Sequence, residues 1–491
     1  GLDFVHQEND YNDFAVQILL PHKQSTLGPK MAVSDLNGDG LEDLFIGGAA
    51  NQAGQLFFQN PDGTFRRAKE QPWAELDALS EDMGILLFDA DNDQDLDIYV
   101  VSGGVEFGEN HPALQDRLYI NFGQEVFRKV RIPEMLANGN VARAADFDQD
   151  GDLDVFVGGG AVPGKYPYPS RSYLLRNDNK KFTEVTEQIA PDLLHPGLVK
   201  DAHWADLNGD SYPDLILTGE WMPIRILLNE QGQGFRDASK EWGTEDLKGW
   251  WYSLAVADLD QDGDLDLVGG NLGLNAKFHA SKKKPFMVFA DDYDQNGSCD
   301  VVLSKEYKGK LVPTRGRECS SQQMPFIKEK FPTYRAFANA SLEEIVGKQN
   351  LKKALHLEVT TFESAVLLNE GGRFVAHPLP IEAQFSPING IVAADLNRDG
   401  KVDLAIAGNM YGAEVETPRY DAGNGLILLG DGKGGFEPLS IAESGFFAPG
   451  NVKDLKQLTF SKDRHSLLLV ANNDGPLQVF RVGQPEGLSM R

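Results

Sequence analysis

One nine-residue phrase returns seven times along the chain: Asp at position 1, Asp or Asn at 3 and 5, usually Gly at 6, and Asp at 9. Each copy follows a short apolar run and precedes a second run rich in Leu, Ile, Val and Phe. The first unit spans Met31 to Gly48, and the phrases start at Asp35, Asp89, Asp146, Asp206, Asp258, Asp292 and Asp395. The starting intervals are 54, 57, 60, 52, 34 and 103 residues, so most of the chain is built from one unit of roughly constant size. A unit this small cannot bury its own apolar faces, and copies must pack on one another.

The unit also has a second half. A third run ending in Asn and a turn into a fourth run containing Phe follow most loops: Gln55 to Asn60 then Phe65, Arg117 to Asn121 then Phe127, Tyr173 to Asn177 then Phe182, Arg225 to Asn229 then Phe235. Alternation with period two marks all four runs as strands. Four-stranded units of this length, repeated around a ring, specify an all-β fold: a single closed β-propeller over residues 1–491. A solenoid would need shorter repeats and capped ends. Eight blades are counted, or seven if two units merge. Between Asp258 and Asp395 the alternation stops from Ser320 to Leu355, where a short helical insertion is expected. Ser341-Leu342-Glu343-Glu344 there resembles a capped helix start. Strands resume at Leu355 to Phe362, Ser364 to Asn369 and Arg373 to His377. A final unit without an acidic loop has strands around Lys456 to Phe460, Ser466 to Ala471 and Leu477 to Val482. Its missing fourth strand is expected from the segment 1–30, through Asp3 to His6 or Phe14 to Leu20, closing the ring and removing its free edges.

Three or four carboxylates within nine residues repel one another unless a cation lies among them. Oxygens at positions 1, 3, 5 and 9, with a backbone carbonyl at 7, match the six or more hard ligands that Ca²⁺ takes; Mg²⁺ prefers to keep several waters. The expected ligands are Asp35, Asn37, Asp39 and Asp43; Asp89, Asp91, Asp93 and Asp97; Asp146, Asp148, Asp150 and Asp154; and Asp206, Asn208, Asp210 and Asp214. They continue with Asp258, Asp260, Asp262 and Asp266; Asp292, Asp294, Asn296 and Asp300; and Asp395, Asn397, Asp399 and Asp403, for up to seven Ca²⁺. An EF-hand would need Glu at position 12, where Ile46, Val157 and Ile406 stand. The loops at Asp89 and Asp206 are weaker, because Gln94 and Ser211 replace the Gly of a left-handed position. An acidic Asx-turn without metal is the rival reading for any one loop.

The 46 Lys and Arg against 74 Asp and Glu give a formal charge of −28, which disfavours nucleic acid and anionic membrane surfaces. Seven divalent ions would halve that charge. There is no apolar run long enough to span a bilayer. The chain starts at Gly1 rather than Met, and an export signal is expected outside this sequence. Extracellular calcium modules bind at about 10⁻⁴ to 10⁻³ M, which cytosolic calcium would not fill.

Cys299 and Cys319 flank a hairpin whose turn is Lys308-Gly309, so they pair as a disulfide in an oxidising compartment or stay as two free thiols. Tyr166, Tyr168, Trp221, Trp250, Trp251 and Tyr252 either present rings to a sugar or partner or fill the wedges between blades. His6, His22, His203 and His279 lack zinc spacing. The nucleophile-elbow and phosphate-loop motifs are absent, the repeated tryptophan phrase of quinoproteins is missing, and no catalytic pair stands out among so many acids. The enzymatic alternative is a calcium-dependent polysaccharide lyase, with Arg315, Arg317 and Lys282 to Lys284 facing an acidic sugar.

Phrases such as Asp-Leu-Asn-Gly-Asp-Gly-Leu-Glu-Asp-Leu-Phe-Ile-Gly-Gly at Asp35 to Gly48 resemble the FG-GAP/VCBS repeats of integrin α-subunit propellers and bacterial surface proteins. The stretches Phe4 to Asp10, Leu19 to Lys23 and Gln322 to Pro325 are similar to the propeller half of Bacteroidota surface proteins that often carry an ASPIC/UnbV domain. The resemblance implies an exported, calcium-loaded propeller used for binding at the cell surface. Its implied partner is an unidentified surface protein or glycan, frequently linked to nutrient uptake.

Overall fold

The computed structural model describes residues 2–459 and 466–482. Short alternating runs, each broken by an acidic turn, fold into antiparallel hairpins. In all seven the residue before position 1 pairs with the Asp at position 9: Ser34 with Asp43, Phe88 with Asp97, Ala145 with Asp154, Ala205 with Asp214, Ala257 with Asp266, Asp291 with Asp300, and Ala394 with Asp403. One loop sequence therefore fixes one register. A slip of a single residue would turn every apolar side chain to the wrong face.

The hairpins extend into eight antiparallel sheets. Seven of them begin with the strands Met31–Ser34, Glu81–Phe88, Gly139–Ala145, Leu198–Ala205, Ser253–Ala257, Gly390–Ala394 and Val452–Thr459. Each of these first strands packs on the next in that order, and Val452–Thr459 packs on Met31–Ser34. Apolar clusters fill the space between consecutive sheets. Phe45, Trp73, Tyr119 and Phe127 join the first two, and Phe57, Met31, Leu458 and Leu469 join the last to the first. A large side chain buried in such a wedge contributes about 1.5–3 kcal/mol.

Eight sheets were expected as eight successive units, and the structure corrects that order. The fifth sheet is interrupted: Ser253–Ala257 and Asp266–Gly270 are completed by Ala365–Asn369 and Phe374–Pro378. The intervening chain makes the eighth sheet from Phe286–Asp291, Asp300–Tyr307, Lys310–Pro313 and Leu355–Val359, with five short helices between Arg317 and Lys353. The strands after the insertion thus serve different sheets, because Leu355–Val359 pairs with Phe286–Asp291 while Ala365–Asn369 returns to Asp266–Gly270. The helical stretch lies where the sequence places it, and Ser341 and Glu344 form the capping box.

The last sheet has three strands among the described residues, and the expected end of its first strand at Phe460 lies outside them. The two proposed sources of a fourth strand behave differently. Val5 forms one antiparallel bridge with Pro476, flanked by hydrogen bonds from Leu477 to Phe4 and from His6 to Gly475. Phe14 instead lies in the helix Asp13–Val16.

The cysteines are free. The hairpin turns at Lys308 and Gly309 as expected, but its second strand ends at Pro313 and Cys319 sits on a helix, where its thiol donates to Glu416 at 2.8 Å. The aromatic residues singled out in the sequence are mostly core. Tyr166, Trp221, Trp250 and Tyr252 pack with Phe278 and Phe286 under the inserted sheet, Trp251 lies in a neighbouring wedge, and half-buried Tyr168 donates to Ala290. Among the described residues no helix is long and apolar enough to cross a membrane.

Candidate metal centres

Each acidic loop folds around the carboxylate at position 1. Asp35 accepts the N–H groups of Asp39 at 3.1 Å and Gly40 at 2.7 Å. Asp146 accepts those of Asp150 and Gly151 at 3.1 and 3.0 Å, and Asp395 those of Asp399 and Gly400 at 3.0 and 2.9 Å. The side chain at position 5 then accepts the N–H two residues on: Asp39 from Leu41, Asp93 from Asp95, Asp150 from Asp152, Asp262 from Asp264. The backbone thus holds the position-1 carboxylate through both oxygens and the position-5 acid through Oδ1.

The turn needs two left-handed residues. Position 6 has φ of 96° at Gly151 and 97° at Gly263, and also 75° at both Gln94 and Ser211, so the strain expected at those two is present. Position 4 is left-handed as well, at Asn92, Gln149, Gln261, Gln295 and Arg398, which the residue pattern did not signal.

Four loops bring three carboxylates within 4.8 Å of one another: Asp89, Asp91 and Asp97; Asp146, Asp148 and Asp154; Asp258, Asp260 and Asp262; and Asp292, Asp294 and Asp300. The loop at Asp89 is among them despite Gln94. The buried Oδ1 atoms of Asp91 and Asp148 have no hydrogen-bond partner. In the loops at Asp35, Asp206 and Asp395, Asn37, Asn208 and Asn397 replace the middle acid, and each side-chain oxygen accepts the N–H of position 5. All seven donor sets are hard oxygens, the chemistry of Ca²⁺.

Position 9 carries a second role that the sequence did not disclose. Asp154 accepts Phe147 N–H on one oxygen and Asn177 N–H on the other, stapling the loop to the third strand. Asp43, Asp97, Asp214, Asp266 and Asp403 make the same pair of bonds, while Asp300 makes only the first kind, to Tyr293. Burial pushes Asp43, Asp97 and Asp300 up to about 7, Asp154 to about 8 and Asp214 to about 6, outweighing the N–H groups that pull them down. The acids at the other loop positions add to that rise, and a cation beside them opposes it.

The recurring Asn has a partner in another sheet. Asn121 Nδ2 donates to Leu36 O, Asn177 to Ala90 O and Asn229 to Phe147 O, at 2.8–3.0 Å, each reaching position 2 of the preceding loop. The repetition of Asn was visible in the sequence, but its target was not.

The cationic residues proposed for an acidic sugar are not gathered together. Arg315 is buried and paired with Glu414 and Glu416, and Arg317 donates to the carbonyls of Phe331 and Lys328. Lys282 and Lys284 stand exposed in a separate turn.

Sequence comparison identifies FG-GAP-like repeats at residues 35–100, 146–217 and 206–269. The chain thus carries FG-GAP-like repeats over part of its length, within an all-β fold of antiparallel sheets. No curated protein matches it at a significant level. Many solved structures resemble it, among them two at low identity. BBS1N, crystallised in complex with ARL6DN, is 11% identical with a TM-score of 0.44, over 95% of this chain and 96% of that one. The V. cholerae biofilm matrix protein Bap1 is 10% identical with a TM-score of 0.40, over 99% of this chain and 91% of that one.

Proposed function

We propose that this protein is an extracytoplasmic, calcium-loaded β-propeller that acts as a binding or scaffold module for a surface protein or glycan. The observation that carries this reading is the repeated loop geometry, in which backbone N–H groups fix the acids at positions 1 and 5 and four triads converge within 4.8 Å. Such crowding is costly without a cation and becomes a stabilising linkage with one. The circular packing of first strands supports a ring of seven blades in one domain over residues 1–491. The bridge between Val5 and Pro476 supports closure by the segment 1–30. In the fifth blade the insertion departs after Gly270, at the end of the strand remote from its acidic loop. Calcium would therefore stiffen one rim while the inserted sheet and helices, with residues 320–355 at their centre, present a surface on the other. Metal analysis after dialysis against millimolar calcium tests the proposal: several equivalents per chain are expected, and vacant loops would overturn it.

A further inference from the structure

At the opposite end of the first strands from the acidic loops lies a second group of acids, in which hydrogen bonding is incomplete. Glu81 opens the strand Glu81–Phe88, seven residues and about 23 Å from the residue that precedes Asp89. It is 1% exposed, and neither of its carboxylate oxygens has a hydrogen-bond partner. Neither oxygen of Glu106 has a hydrogen bond of full geometry, although its own N–H, that of Val105 and the Glu81 carboxyl lie near enough to draw it down; Glu8 Oε2 and the side-chain oxygen of Asn9 are also unpartnered. Glu81 Oε2 and Glu106 Oε2 crowd the position that a Cβ on Gly104 would take, and Gly104 has a left-handed φ of 88°. A side chain at residue 104 would be strained and would also fill the gap between the two acids.

No lysine or arginine among the described residues forms an ion pair with these three glutamates. The near basic groups are His6 and Lys453. His6 Nδ1 accepts the N–H of Asp474 at 3.2 Å, so in the neutral ring Nε2 carries the hydrogen and is not a metal ligand. Glu8 Oε1 accepts from Asn473, which leaves its other oxygen free. Buried carboxylates without donors cost several kcal/mol each unless something neutralises them. Burial raises Glu8 and Glu106 to about 7 and holds Glu81 well above the carboxylate range.

We infer that Glu8, Glu81 and Glu106 form a further site for a divalent cation of the Ca²⁺ class, joining the N-terminal segment to the second blade. The donors are all oxygen, which favours Ca²⁺ over Zn²⁺. Glu81 Oε2 and Glu106 Oε2 already meet at Gly104, and rotation of the Glu8 side chain would bring the third carboxylate to the same ion.

Equilibrium dialysis of the full chain against Ca²⁺, comparing wild type with Glu81→Gln, tests the site. The variant is expected to bind one equivalent fewer per chain while keeping its circular dichroism spectrum. Should the loops themselves take no calcium, wild type binds one ion and the variant none, so the two proposals fail separately. Glu106→Gln, at a half-buried position, serves as a second variant and is expected to weaken the same equivalent at least tenfold. Equal calcium counts and affinities in wild type and a folded variant overturn the inference, and would mean that protons hold these carboxyls neutral.

Discussion

Asn177 reaches from the third strand of one sheet to the carbonyl of Ala90 in the loop of the preceding sheet, 3.0 Å away. Its backbone N–H is meanwhile held by Asp154 of its own loop at 2.8 Å, so this one residue ties two acidic loops together. Asn177→Ala would leave the carbonyls of Ala90 and Leu153 without their donor in a buried site. The expected loss is about 1–3 kcal/mol. Urea denaturation checks it, and Asn121→Ala and Asn229→Ala are expected to match.

Removing calcium should act on all loops at once. With free Ca²⁺ at 100-fold its Kd, each independent site adds about 2.7 kcal/mol to the folded state. Excess EDTA is therefore expected to lower Tm by many degrees in a calorimetric scan, reversibly on adding calcium back. Asp148→Asn, which removes one acid of a triad, should reduce that calcium-dependent gain by about one site's share. An EDTA scan that superimposes on the calcium scan would count against calcium loading.

The left-handed residues at position 6 give a finer test. Nothing lies within 4 Å of a Cβ placed on Gly151 or Gly263, so a side chain there meets only backbone strain. Gly151→Ala and Gly263→Ala should each destabilise the protein by about 1 kcal/mol, and Gln94→Gly should recover a similar amount. Thermal melts at fixed free calcium would resolve both signs.

Much of this architecture is legible before any coordinates. The hairpins follow from alternation, their register from the fixed distance between positions 1 and 9, and the helical insertion from the loss of alternation after Ser320. What stays hidden is pairing over long separations. Leu355–Val359 and Ala365–Asn369 are both apolar strands in a row, and nothing local sends one to the inserted sheet and the other back to Asp266–Gly270. Local residues likewise do not show that Asp154 spends both oxygens on backbone N–H groups, or that Trp250 is covered by the inserted sheet rather than open to a ligand. The unpartnered Glu81 depends on contacts among three segments separated in sequence.

Glu220 provides a pH test remote from the acidic loops. It is fully buried, and burial alone would raise it, yet His22 at 3.0 Å, Lys200 at 3.2 Å and the hydroxyl of Tyr166 at 2.9 Å bring it down to about 2. Its folded value lies below the ordinary 4.5, so the unfolded chain binds the proton first as pH falls. The stability it contributes is complete above about pH 5 and is lost progressively toward pH 2. Glu220→Gln breaks a buried ion pair and should cost about 3–5 kcal/mol at neutral pH. The difference between wild type and variant should then shrink as pH drops below 4.5 and level off near 2, when urea titrations are run at matched free calcium. A difference that stays constant across that window would show that Glu220 is not held ionised by His22 and Lys200.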